Sequence, residues 1–250
     1  MKRFNIVLLI TSLVLFFALV SGVPAHAIMF ICGDTAAAAA GGVPDLASYA
    51  TSTGSTSSLT IAAPAGIASG DLLVAIVGND ATNPGDCTFS DNVTDWTFGG
   101  CTGSSSSDSC VALYYKTAGS SEGAVTVTST VSVNWGFFLR VTGADTSDVV
   151  NASLFENQSG RTSHIITAVT TDADDCLVLF GFSYDGSDGT PYTVSGTGWG
   201  QVGSTLLVGD SSGVVGQRDQ ESLGAGVNAG VATTLSDGSA HFQLAINSGS

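Results

Sequence analysis

Residues 69–80 read SGDLLVAIVGND, six apolar residues (Leu72 to Val77) bordered by Asp71 on one side and by Asn79 and Asp80 on the other. A run this short with turn-forming residues at both ends fits a strand buried on both faces, since a buried helix needs about 10–12 residues. The pattern returns at 172–185 as DADDCLVLFGFSYD, where Asp175 stands for Asp71 and Leu177-Val178 for Leu73-Val74, a shift of 104. Trp199 follows Trp96 at a shift of 103. Trp135, Phe137, Leu139 and Val141 alternate with a second set of residues, and Ala240, Phe242, Leu244 and Ile246 do the same at a shift of 105. A period of two marks strands. The chain therefore reads as two degenerate copies of a module of about 105 residues, copy one at 59–153 and copy two at 164–249.

Each copy carries roughly five strand-like runs, too few to cover both of their own faces. The expected fold is all-β: a jelly-roll-like antiparallel β-sandwich of about ten strands built from both copies. Two separate small sandwiches are the alternative. The composition agrees, with 32 glycines and only 11% charged residues, as many short strands and turns require.

The first 27 residues have the form of a signal peptide: Lys2 and Arg3, an apolar stretch from Ile6 to Val20, then Ala25-His26-Ala27. Residues 28–58, rich in Ala, Gly, Ser and Thr, read as a flexible leader to the 59–250 sandwich. The chain is expected to be secreted, at a cell surface or on a virion. Without the signal it keeps four basic residues against 21 carboxylates, a formal charge of −17. That field argues against nucleic acid and, once the signal is cleaved, against a membrane surface as partners.

Of the five cysteines, Cys101 and Cys110 flank a polar loop between two strand-like runs and are the leading disulfide candidate, with Cys87 to either of them the next. Cys176 opens an apolar run and reads as a buried free thiol. The loops after the two apolar runs hold Asn79, Asp80 and Asp86 in one copy and Asp185 and Asp188 in the other. These oxygens suit calcium, although no cofactor is required; solvated turn aspartates explain them as well. Tyr184, Tyr192 and Trp199 cluster in copy two and are the candidates for a glycan-binding rim.

GDSSG at 209–213 fits a nucleophile-loop pattern, but GSSEG at 119–123 fits it too, and a serine needs a positioned base and acid. His164 and His241 sit in no partner motif and read as exposed strand residues.

The order APAGIASGDLLVAIVG, DWTFGG, VALYYKTAGSSEG, FFLRVTGADTSDVVNAS resembles the jelly-roll-like modules of secreted bacterial surface proteins and of phage tail or virion proteins. The resemblance covers 59–153 well and 164–249 weakly. It implies a β-sandwich with a structural or adhesive role and transfers no catalytic residue. The expected function is a non-catalytic surface or virion module that contacts itself, surface or virion components, or glycans. A calcium-dependent carbohydrate-binding protein is the alternative, and a secreted hydrolase the third reading.

Overall fold

Leu72 to Val77 are all buried, so this strand has apolar side chains packed on both faces, and the architecture follows from what covers each face. The computed structural model describes residues 42–80, 89–91, 95–104, 109–185, 192–205, 211–220 and 223–249. Their strands are β1 (Asp45–Ile61), β2 (Leu72–Asn79), β3 (Phe89–Asp91), β4 (Thr97–Ser104), β5 (Ser109–Thr117), β6 (Val125–Thr142) and β7 (Val150–Ile166). These are followed by β8 (Thr170–Thr171), β9 (Cys176–Asp185), β10 (Thr193–Ser195), β11 (Gly200–Thr205), β12 (Ser211–Gln220), β13 (Gly224–Ala225) and β14 (Ala229–Ile246). The fold is all-β, and the described residues form ten strands of six residues or more and four short ones.

One antiparallel sheet runs β1-β6-β2-β5-β4, with β3 on β6; the second runs β7-β14-β9-β12-β11, with β10 on β14. Each sheet takes all its strands from one half of the chain, so the halves stack face to face and do not interleave. The strand order is the same in both. Register matches as well: Leu72 faces Val141 across β2 and β6, and Leu177 faces Ile246 across β9 and β14, both pairs related by 105 residues.

This corrects the shift of 104 for the apolar strands. Leu72, Val74 and Ile76 turn toward the other sheet, as do Leu177 and Leu179, so Leu177 corresponds to Leu72 and not to Leu73. An uninterrupted apolar run carries no alternation from which to read its register, and a slip of one residue exchanges the faces. The alternating strands were legible: Trp135, Phe137, Leu139 and Val141 meet Ala240, Phe242, Leu244 and Ile246 in the layer between the sheets. Each large apolar side chain buried there contributes about 1.5–3 kcal/mol.

The outer faces are covered too. β6 and β14 are 18 residues long, and each turns a corner partway. Thr56 and Ser58 of β1 face Val133 and Thr128 of β6; Arg161 and Ser163 of β7 face Asp237 and Ala232 of β14. Between these pairs four residues on the long strand oppose one on its partner, and a surplus of this kind bends a ribbon. Gly160, with φ of 62°, supplies the left-handed backbone at the second corner. Beyond the corner Leu59, Ile61, Val125 and Val127 close over Leu73, Ala75, Val77 and Tyr114. In the second half Ile166, Ala229 and Val231 close over Phe180, Phe182 and Tyr184.

Residues 45–58 are therefore not part of a flexible leader; residues 28–41 lie outside the described residues. Asp45–Ile61 is one edge strand paired to β6 from Asp45 against Thr142 onward. Its Ser/Thr repetition resembles linker composition, yet threonine favours strands and an edge needs few large apolar residues.

The disulfide expectation is also corrected. Cys101 is a free thiol, whereas Cys110 is disulfide-bonded, its partner lying outside the described residues. Across β4 and β5, Cys101 faces Ala112 and Cys110 faces Gly103. The two cysteines are thus diagonal neighbours, about 7–8 Å apart in such a ladder, beyond the reach of an unstrained bridge. Cys176 is a buried free thiol, as expected.

Candidate functional site

The turns leading into the two apolar strands hold their aspartates differently. Asp71 Oδ2 accepts from the Ala68 amide at 2.7 Å and from Arg140 Nε at 2.6 Å. Asp175 has φ of 57°, a left-handed conformation that aspartate tolerates. Both act in turns. Lys116, almost fully buried, lies 2.9 Å from Asp95 Oδ2 and 2.7 Å from Glu122 Oε2, with its ammonium 5.5 Å from the Trp96 ring centre. It tethers the β5–β6 connection and the approach to β4.

The residues expected to bind ligands are placed otherwise. Tyr184 is fully buried and Tyr192 nearly so; both rings pack on Phe182 beneath the second ribbon. Trp199 is half-buried, stacks edge-on against Phe180 and donates its Nε1 to the Val227 carbonyl at 3.0 Å. These three form core, not an open glycan rim. The sequence shows them clustered in one stretch of the second half but not the ribbon that closes over Tyr184 and Tyr192 from residues 229–231.

Asn79 is buried within β2, its amide 3.4 Å from Ser129 Oγ, and so is no loop ligand. The Asp80 amide donates to Asn134 Oδ1 at 2.7 Å. Asp185 ends β9 opposite Ser211. Asp86 and Asp188 lie outside the described residues. Among the described residues no group of three or more His, Cys, Asp or Glu is arranged to hold a metal ion.

Ser211 of the GDSSG pattern is bonded to Ser183 Oγ at 2.9 Å and accepts from Trp135 Nε1 at 3.2 Å. It faces the first sheet. The two histidines lie on the opposite face of the second sheet, so Ser211 has no base from either of them.

The histidines themselves are fully buried, contrary to the exposed positions expected for them. His164 on β7 and His241 on β14 share one hydroxyl, Ser239 Oγ, at 2.9 Å from His164 Nδ1 and 3.4 Å from His241 Nδ1. One serine can donate to one ring and accept from the other, so a single neutral chain satisfies both Nδ1 atoms. Among the described residues both Nε2 atoms lack a well-aligned hydrogen-bond partner, and His241 Nε2 is 3.7 Å from Glu156 Oε2. Phe182 and Tyr184 wall the cluster, with ring centres 5.1 and 5.9 Å from His164. Burial pushes His164 down to about 4, outweighing the opposing backbone contact at Arg161, whose positive charge adds to the shift. Burial also pushes His241 down to about 4 against the partial attraction of Glu156. Both rings are neutral at neutral pH.

Ser239 and Glu156 were missed from sequence. Ser239 lies two residues from His241 on the same face, a relation the alternation could have given. Glu156 faces His241 only through the β7–β14 register. No family model, curated protein or solved structure matches this chain.

Proposed function

We propose that this chain is an exported, non-catalytic structural or adhesive module of a cell or virion surface that associates through copies of itself or other surface components. The observation that carries this reading is the form of its edges. Each sheet ends in a 17-residue strand, β1 or β7, which among the described residues pairs within its sheet on one side only. Between Leu46 and Ile61 the first edge carries no charged residue, on a chain with 21 carboxylates. A second acidic copy can approach there with least repulsion, and main-chain pairing at an edge is a common mode of strand addition. The matched strand order and register support a duplicated scaffold, and the aromatic side chains are used mainly for packing.

Light scattering over a range of concentrations tests the proposal. Assembly is expected for the parent chain and is expected to be lost when exposed Thr51 and Thr53 are both changed to Asp. A chain that stays monomeric and binds no surface component overturns the reading.

A further inference from the structure

The matched register allows the two halves to be compared position by position. Leu59 faces Val127 across the first ribbon, and His164 faces Val231 across the second. Gly136 faces Val77 and Ser52; its counterpart His241 faces Phe182 and Glu156. In the first half an added Cβ at Gly136 would come within 2.5 Å of Ile61 Cδ1 and 3.2 Å of Leu59 Cδ2, so aliphatic side chains fill this space. The same strand layout is thus closed by leucine over glycine in one half and by a histidine pair in the other. The fold does not require imidazoles there, and a buried polar cluster at a position the fold fills without one is a mark of function.

We infer that His164, Ser239 and His241 form an acid-sensitive latch, which holds the outer ribbon of the second sheet closed at neutral pH and releases it in mild acid. The ribbon end at 163–166 and 229–232 lies over Phe182, Tyr184 and Tyr192, so its release presents an aromatic face that is hidden at neutral pH.

A first proton places an uncompensated charge in this buried cluster, and a second breaks the shared chain. Two imidazoliums would both present Nδ1–H to one hydroxyl, and the serine proton would then need another acceptor. The surroundings do little to compensate. On β7 the nearest charges are Arg161, of like sign, and Glu156, whose side chain is 32% exposed and which also accepts from the Thr167 amide. On β14 Asp237 faces Arg161. From β9 comes the Tyr184 phenol, with the Tyr192 phenol beyond it. A buried charge with one distant, partly solvated counter-ion is costly, so proton uptake favours the open state.

Hydrogen exchange of the full chain, corrected for intrinsic rates, tests the inference through peptides covering 163–166 and 229–232. The equivalent peptides at 58–61 and 125–128 serve as the internal reference. Between pH 7 and pH 5 the opening equilibrium of the second ribbon is expected to rise by roughly 20-fold for each histidine that gains its proton, with the first ribbon unchanged. In the His164→Gln/His241→Gln variant the difference between the halves should vanish. His164→Leu, which places the first half's own residue in the second, should remove about half of it on a logarithmic scale. Equal responses of the two ribbons in the parent chain overturn the inference, as does an excess response of the second ribbon retained in the double variant or an undiminished one in His164→Leu.

Discussion

The indole of Trp135, rooted in the first sheet, donates its Nε1 hydrogen to Ser183 Oγ of the second at 3.2 Å. Ser211 lies at the same distance, and the two serine hydroxyls are 2.9 Å from each other. The ring is seated between Gly78 of its own sheet and Gly213 of the opposite one. At the position that matches Trp135 the second half has Ala240, so the key is one-sided. It fixes how the two sheets lie on each other more sharply than the aliphatic contacts around it, because a misplaced indole would bury an unsatisfied N–H.

Gly213 and Gly78 are therefore sites where one methyl group is expected to be costly. A Cβ at Gly213 would come within 2.3 Å of the indole, and one at Gly78 within 2.2 Å. Gly213→Ala and Gly78→Ala should each destabilise the chain by about 1–3 kcal/mol through overpacking. Gly123→Ala, where nothing lies within 4 Å, should change little. Urea midpoints of the three variants make the comparison, and the cost of Gly213→Ala should shrink when Trp135 is already alanine.

The paired serines predict non-additivity. In Ser183→Ala or Ser211→Ala alone, the indole keeps one acceptor, and the loss should be about 1 kcal/mol or less. Removing both leaves a buried donor unpaired, so the double variant should lose about 1 kcal/mol more than the sum of the singles. Strictly additive losses in a double-mutant cycle would show that the indole does not depend on these hydroxyls.

What was legible in the sequence follows from how local each signal is. The parity of Trp135–Val141 and Ala240–Ile246 lies in consecutive residues, so it correctly marked the layer between the sheets. The Leu72–Val77 run has no polar residue to set its parity, so sequence alone leaves its correspondence to Leu177 open by one position. Sequence alone places Tyr184, Tyr192, His164 and His241 at the surface, because the ribbon above them is made from distant chain segments. That covering depends on the corner in β14, where residues 233–236 fall out of register with β7, and no single residue type announces it.

The Lys116 network separates two acids that look alike in sequence. The Glu122 side chain is 11% exposed and Glu122 also accepts from the Gly119 amide at 2.6 Å, whereas the Asp95 side chain is 61% exposed. Solvent screens the second pair far more than the first. Glu122→Gln should cost about 1–2 kcal/mol, since it leaves a nearly buried ammonium short of its better-shielded counter-ion. Asp95→Asn should stay within about 0.5 kcal/mol. Thermal unfolding of the two variants would count against this assignment if the order of the losses were reversed.

Thiol chemistry should distinguish the three described cysteines. Burial, with nearby Asp172, Asp174 and Asp175, pushes Cys176 up to about 11, so at pH 8 only about 0.1% of it is thiolate. Cys101 is raised by burial but remains half-accessible. Alkylation of the native chain at pH 8 followed by peptide mapping should label Cys101 slowly and leave Cys176 unlabelled. Cys110 should react only after reduction, because it is disulfide-bonded. Rapid native labelling of Cys176 would contradict its place beneath the second sheet.

Global stability should depend on pH in a window set by the histidines. Their values near 4 in the folded chain lie below the ordinary value of 6.5, so between these limits the unfolded chain binds more protons. Stability then rises with pH across about 4 to 6.5 and falls as acid is added, by on the order of 3 kcal/mol per histidine over the whole interval. The carboxyls held low, Asp95 by Lys116 and Asp145 by Ser147, act in the same direction but below their ordinary 3.8, in a separate window. Urea midpoints at half-unit steps from pH 3 to 7 should therefore show two regions of slope. The single variants His164→Gln and His241→Gln should each remove about half of the upper region and leave the lower one intact. A parent chain with a flat midpoint between pH 4.5 and 6.5 would mean that the imidazoles take up protons without leaving the core, which the distance of His241 from Glu156 and the like charge of Arg161 near His164 both oppose.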